Sequence, residues 1–156
     1  MAIDRLDWHW DSAEKLYRKN YDITSELTEE EINEIWLLAG NHIGLFIRWL
    51  IEHNLESDDA DEEDCLKVKS KQMTGTEYLM NNCDGKFWEE DVKDDVLPFI
   101  EAYYEGPDYL RDYEDCCIND KDKPVYGVIS SEEDYHKLKN RIDRAYAEFQ
   151  KIKEAE

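Results

Sequence analysis

The sequence has none of the short motifs that mark common nucleotide-binding and catalytic sites. It contains no P-loop, no G-x-G-x-x-G, no H-E-x-x-H and no G-x-S-x-G. Basic residues are also scarce: 19 Lys and Arg stand against 40 Asp and Glu in 156 residues, which gives a formal net charge of −21. A field of this sign repels nucleic acids and anionic membranes and attracts basic proteins. The sequence therefore predicts a protein that is not an enzyme, needs no cofactor and binds a basic protein partner.

Long hydrophobic runs are absent as well. No stretch reaches the roughly 18 apolar residues of a membrane-spanning helix, and Arg48 interrupts the best candidate. The first ten residues, MAIDRLDWHW, show neither the basic nor the apolar region of a signal peptide. These features predict a cytoplasmic location and no association with membranes.

The four cysteines do not follow a recognisable pairing or metal-binding pattern. No C-x-x-C spacing occurs among them; they are Cys65, Cys83, Cys116 and Cys117. In a protein without an export signal we expect reduced thiols and no bound metal. A zinc site that combines Cys65, Cys83 or Cys116 with His9 or His42 remains an open alternative, and with it a metal-dependent enzyme.

What the sequence does contain is a strongly apolar segment, Thr28–Asn54. Its apolar residues recur at steps of three and four and extend beyond one face, which predicts a buried central helix. Thr28 and Glu31 form a T-x-x-E capping box at its start. We expect Gly40-Asn41 to divide it into a helix pair, with Asn41 capping the second half. Within this segment we expect His42 to be a hydrogen-bonded core residue, and Gly44 to lie where another element approaches closely.

The remaining elements predict one α+β domain over residues 1–156, with five or six helices around the central pair and one small sheet. Ser12 is the expected N-cap of a first helix, and His9 is expected to pack at a core edge. The acidic composition of Glu52–Asp64 predicts a loop. Alternation of apolar and basic residues at Cys65–Lys71 predicts one strand, and the β-branched residues of Pro124–Ser130 predict a second. The further predicted helices are Thr74–Asn82, Leu97–Glu105, Tyr109–Asp115 and the closing amphipathic helix Glu132–Lys153.

The acidity is concentrated rather than uniform. The segment Asp84–Asp122 holds fourteen acidic and four basic residues, whereas the closing helix is nearly balanced. Tyrosines are interleaved with these carboxylates, and tyrosines are frequent interface anchors while carboxylates steer a basic partner. The residues predicted to bind the partner are Asp94, Asp95, Glu101, Tyr104, Glu105, Asp108, Tyr109, Asp112, Tyr113, Glu114 and Asp115.

Several short motifs occur together along the chain: N-H-I-G-L-F-I-R-W at Asn41–Trp49, C-D-G-K at Cys83–Lys86, A-Y-Y at Ala102–Tyr104, and Y-L-x-D-Y at Tyr109–Tyr113. In this order, before a V-Y-G-V segment and a terminal helix, they resemble an uncharacterised family of small acidic bacterial cytosolic proteins. That family resembles the immunity proteins of polymorphic toxins. The resemblance implies a protein that binds and neutralises a toxin domain encoded nearby, and it supplies no catalytic residues.

The expected function is therefore that of a non-enzymatic inhibitor, an immunity protein that covers a toxin through its acidic, tyrosine-rich face. The alternative is a DNA mimic of phage type, whose carboxylates imitate phosphates and inhibit an enzyme that binds nucleic acid. A mimic needs carboxylates in rows, whereas an immunity protein needs a compact patch with apolar anchors. The interleaved tyrosines favour the immunity protein.

Overall fold

The computed structural model describes residues 2–118, 125–127 and 129–155. Within these residues the fold is α+β and predominantly helical, as predicted, with seven α-helices and one antiparallel two-stranded sheet. None of the described helices is both long enough and apolar enough to cross a bilayer. The elements are β1 (Ala2–Arg5), α1 (Asp7–Tyr21), α2 (Glu29–Glu52), α3 (Glu62–Lys69), α4 (Gly75–Asn82), β2 (Lys86–Trp88), α5 (Leu97–Tyr103), α6 (Pro107–Cys117) and α7 (Glu132–Ala155).

Helix α2 is the central element, and its start is the predicted one. The Thr28 hydroxyl accepts from the Glu31 amide while the Glu31 carboxylate accepts from the Thr28 amide, so the capping box is confirmed. The predicted break at Gly40-Asn41 is wrong, because α2 continues through both residues. Asn41 does not cap a second helix; its side chain instead donates to Tyr113 and Ser130. The main hydrophobic core surrounds the C-terminal half of α2.

The crossing of α2 and α4 explains two glycines. A Cβ at Gly44 would lie 2.5 Å from the backbone nitrogen of Thr76, and one at Gly75 would lie 1.8 Å from the backbone oxygen of Gly44. The two backbones therefore touch, and the prediction of a close approach at Gly44 is confirmed.

The predicted strands are wrong. Cys65–Lys71 belongs largely to α3, which Asp61 caps by accepting from the Asp64 amide. Cys65 and Val68 are three residues apart and both are buried, which is the spacing of one helix face. In the sequence, the same residues could be taken for the alternation of a strand. Of Pro124–Ser130, the described residues Val125–Gly127 form a 3₁₀ turn, and Pro124 and Val128 lie outside the described residues. The sheet is built instead from β1 and β2.

Other boundaries differ more modestly from the predictions. Helix α1 begins at Asp7 directly after β1, so Ser12 lies inside it and is not its N-cap. The acidic segment Glu52–Asp64 is partly helical, because it includes the end of α2 and the first turn of α3. The closing helix α7 begins at its predicted residue, and the Ser131 hydroxyl just before it accepts from the Asp134 amide. The helix is amphipathic as predicted, and its buried side includes Tyr135, Leu138 and Ile142.

Candidate functional site

The residues predicted to bind a partner divide into two groups. Six carboxylates are exposed, and Asp108 and Asp112 are half-buried. The three tyrosines are buried, with exposed fractions of 9% for Tyr104, 2% for Tyr109 and 0% for Tyr113. The exposed carboxylates are Asp94, Asp95, Glu101, Glu105, Glu114 and Asp115.

The expectation that these tyrosines anchor a partner at the surface is therefore corrected. Tyr109, Tyr113, Cys116 and Cys117 follow helical spacing on α6, and all four belong to the main core. In the sequence, the carboxylates beside each tyrosine suggested exposure. The structure shows that the helix alternates a buried face with an acidic one, so neighbours in sequence point in opposite directions.

The hydroxyls of the three tyrosines reach polar groups in the interior. Tyr104 donates to Asp4 Oδ2 at 2.7 Å, and Tyr109 donates to the backbone oxygen of His42. The Tyr113 hydroxyl accepts from the Asn41 side chain at 2.7 Å. Burial raises the pKa of all three phenols above its ordinary value, so they remain neutral hydrogen-bonding groups.

Three side chains at the centre of this interior network form what we call the histidine cluster: Asp4, His9 and His42. One ligand-type atom from each lies within 4.8 Å of the others. Asp4 reaches the cluster from β1, where the pairing with β2 is irregular between Ala2 and Asp4. Bulges of this kind redirect side chains, and here the consecutive residues Ile3 and Asp4 are both buried.

His9 lies in the first turns of α1 and has a partner on each ring nitrogen. Its Nε2 is 2.7 Å from Asp4 Oδ1, and its Nδ1 is 2.5 Å from the hydroxyl of Tyr126. Tyr126 belongs to the 3₁₀ turn Val125–Gly127, which packs against α1 and α2. The imidazole is thus held between a carboxylate and a phenol.

His42 comes from the middle of α2 and is 6% exposed. Its ring meets that of His9 edge to face, with centroids 4.5 Å apart. Its Nε2 approaches Asp4 Oδ2 only to 3.7 Å, and its Nδ1 is buried without a hydrogen-bond partner. The prediction that His42 is a core residue is confirmed, but the prediction that it is hydrogen-bonded is wrong for the described residues.

Burial and neighbouring charge set the protonation of the cluster. Burial lowers the pKa of His42 to about 4, and the nearby His9 adds to this effect. Burial alone would raise the pKa of Asp4, but the hydrogen bonds from His9 and Tyr104 outweigh it and hold the pKa below its ordinary 3.8. At neutral pH the cluster therefore presents a carboxylate and a neutral His42 imidazole.

The cysteines lie elsewhere. Among the described residues, the histidine cluster is the group of metal-ligating side chains that the structure brings together, and it contains no cysteine. All four cysteines are free thiols. Cys65 is 3.8 Å from the Tyr78 hydroxyl, and burial raises the pKa of Cys83 and Cys117 to about 12. The alternative zinc site of cysteines with His9 or His42 is therefore not formed by the described residues.

Sequence reasoning considered His9 and His42 but missed Asp4 and Tyr126. The three cluster residues come from three different elements, so no fixed spacing connects them. One signal was present: Asn41-His42 is a polar pair inside an otherwise apolar helix, and buried polar groups require partners. That signal identifies a polar site but not the residues that complete it.

One known family model matches most of the chain. The family model of a domain of unknown function, DUF7832, matches residues 2–128. The chain belongs to the DUF7832 family. No curated protein and no solved structure matches it. The DUF7832 match includes the histidine cluster and the acidic residues of α5 and α6, and it ends before α7.

Proposed function

We propose that this DUF7832 protein binds a basic protein partner through an acidic surface formed by Asp94, Asp95, Glu101, Glu105 and Glu114. The observation that carries the proposal is that these five carboxylates are exposed and make no ion pair with the described residues. Uncompensated charge of one sign raises the rate at which a partner of opposite charge associates.

The other predicted carboxylates are already compensated. Asp108 is 2.6 Å from Arg111, and Arg141 of α7 lies 3.2 Å from Asp112 and 3.5 Å from Asp115. Asp112 also accepts from the Tyr103 hydroxyl. Asp112 and Asp115 therefore link α6 to α7, Asp108 forms an ion pair within α6, and we leave all three outside the acidic surface.

For the class of partner we propose a bacterial toxin domain, which the protein neutralises by covering a basic active site. The support is the resemblance to immunity families, together with a charge that suits a nuclease or another basic enzyme. With the tyrosines buried, the exposed apolar side chain on α6 is Leu110, which is 42% exposed. The burial of the tyrosines removes the feature that favoured an immunity protein over a DNA mimic, so the experiment has to separate the two.

The test uses the toxin domain encoded beside the gene, co-expressed with wild-type protein or with the double variant Glu101→Lys, Glu105→Lys. Wild type should restore growth, and the variant should restore it poorly. In binding kinetics the variant should lower the association rate by about tenfold at low salt, with less difference at high salt, because charge steering is screened.

The matched control is Asp11→Lys with Glu26→Lys. It changes the net charge equally, at exposed carboxylates near the N-terminus that make no ion pair with the described residues. It should retain more than half of the wild-type association rate. Equal losses in both double variants would show that only net charge matters, and unchanged kinetics in both would refute the acidic surface. Inhibition of DNA-binding enzymes in competition with DNA, without toxin neutralisation, would favour the mimic.

A further inference from the structure

We propose that Asp4, His9 and His42 form a binding site for one divalent transition-metal ion, and we take Zn²⁺ as the ion to test. The site is independent of the acidic surface. It uses one carboxylate oxygen and two imidazole nitrogens, a donor set that suits Zn²⁺ and other first-row metals and leaves coordination positions for water or a substrate.

One of the two distances from the imidazoles to Asp4 is close to that between ligands of a common ion, and the other is a hydrogen-bond distance. Two ligands about 2.1 Å from a tetrahedral zinc ion lie about 3.4 Å apart. His42 Nε2 and Asp4 Oδ2 are 3.7 Å apart, which is too long for a hydrogen bond and close to this separation. His9 Nε2 and Asp4 Oδ1, at 2.7 Å, are hydrogen-bonded, and the ion replaces the proton between them.

The state of His42 is the second and independent observation. A neutral imidazole carries one N–H donor and one lone-pair acceptor. His42 is almost fully buried, and its Nδ1 has no hydrogen-bond partner among the described residues; the nitrogen that faces Asp4 is Nε2, at 3.7 Å. A metal ion between Asp4 and His42 uses the lone pair of Nε2, while the proton on Nδ1 stays without a hydrogen-bond partner among the described residues.

The surrounding hydroxyls match the outer partners of a metal site. Metal-bound histidines usually donate their second ring nitrogen to an oxygen, and ligating carboxylates are themselves hydrogen-bonded. When Nε2 of His9 binds the ion, the proton resides on Nδ1, which then donates to the Tyr126 hydroxyl 2.5 Å away. Tyr104 donates to Asp4 Oδ2. Binding therefore requires two changes: the His9 proton shifts from Nε2 to Nδ1, and His9 Nε2 and Asp4 Oδ1 move apart from 2.7 Å to admit the ion.

The hydrogen bonds of the cluster leave His42 as the member without a bonded partner among the described residues. A purely hydrogen-bonded interior network accounts for Asp4, His9 and Tyr126. It does not account for a third ligand-type side chain that faces the same carboxylate without bonding to it.

The test is calorimetric titration of chelator-treated protein with Zn²⁺ in excess Mg²⁺, which occupies exposed carboxylates because it prefers oxygen ligands. Wild type should bind one Zn²⁺ per chain. His42→Leu and Asp4→Asn should each weaken binding by more than about 100-fold, and Tyr126→Phe by about 10–100-fold, as expected for an outer partner. The matched control is His136→Gln on α7, an exposed histidine that should leave binding unchanged.

A second measurement needs no variant. The chain has four histidines, so ring nitrogen chemical shifts resolve each imidazole. One equivalent of Zn²⁺ should shift the signals of His9 and His42 together, while those of His53 and His136 stay in place. Stoichiometric binding that moves only His53 or His136 would overturn the proposal. So would the absence of saturable binding in excess Mg²⁺, or equal affinity in wild type and a folded His42→Leu protein.

Discussion

Arg48 and His42 are two buried polar side chains on the same helix, 8% and 6% exposed, yet their surroundings differ completely. The Arg48 guanidinium donates to both carboxylate oxygens of Glu132 at 2.6 and 2.9 Å and to Glu52 at 3.3 Å. It also lies 3.8 Å over the ring of Tyr135. His42 has no hydrogen bond to its ring among the described residues.

Both side chains are buried, so burial alone does not distinguish a structural polar residue from a candidate metal ligand. The number of hydrogen-bond partners does distinguish them. Every nitrogen of the Arg48 guanidinium has a hydrogen-bond partner, and the contacts with Glu132 and Tyr135 hold α7 against α2. His42 lies among polar side chains but makes no hydrogen bond with its ring among the described residues. Glu132 and Tyr135 lie beyond residue 128, whereas Glu52 and the whole histidine cluster fall within the DUF7832 match.

The largest expected effect is that of Arg48→Met. Removing one member of a buried ion pair costs about 3–5 kcal/mol, but Glu132 is 48% exposed and recovers much of its hydration. We therefore expect a loss of about 2–3 kcal/mol in the free energy of unfolding, measured by urea denaturation. Arg111→Met, which breaks the exposed Arg111–Asp108 pair, should cost less than about 1 kcal/mol. If Arg48→Met and Arg111→Met lower the free energy of unfolding equally, Arg48 contributes no more than an ordinary surface arginine.

A smaller effect is expected at His42. Leucine has a similar volume and no polar atoms, so His42→Leu removes the unsatisfied Nδ1 without leaving a cavity. In the presence of chelator the free energy of unfolding should change by less than about 1 kcal/mol, in either direction. A loss as large as that of Arg48→Met would mean that His42 has a structural partner, and the comparison between the two residues would fail.

The sequence allowed the starts of α2 and α4 and the extent of α7 to be predicted well. The Thr28–Glu31 and Thr74–Glu77 capping boxes mark the true starts of α2 and α4, because capping depends on residues only three positions apart. The amphipathic stripe of α7 likewise reports a local periodicity. Both signals are complete within a short segment, so no knowledge of the rest of the fold is needed.

Predictions failed where a residue is held by distant partners. Gly40 lies inside α2 where Leu6 and Thr76 occupy the space that a side chain would need, and neither contact is visible in the local sequence. Tyr104 lies beside a carboxylate in sequence but bonds to Asp4, one hundred residues away. The histidine cluster is the extreme case, since it exists only once β1, α1 and α2 have packed together.

The smallest expected effect concerns pH and the partner of Arg48. The hydrogen bond from Arg48 lowers the pKa of Glu132 below its ordinary 4.5, with further attraction from Arg48 and Lys71. A carboxyl whose pKa is lower in the folded state stabilises the protein above its unfolded pKa. That contribution is lost as the pH falls through the folded pKa. Wild type should therefore be more stable than Glu132→Gln at pH 7, and the gap should close as the pH falls below 4.5.

Because Glu132 is half exposed, we expect a gap of only about 0.5–1 kcal/mol at pH 7, measured by urea denaturation across pH 3–7. The neighbouring Glu133→Gln provides the control, since Glu133 is 83% exposed and lies 3.9 Å from Lys137. Its effect should be close to zero at both ends of the range. If wild type is still more stable than Glu132→Gln at pH 3, the charge of the Glu132 carboxylate is not what Arg48 recognises. The ion pair would then no longer explain why Arg48 is fully partnered while His42 is not.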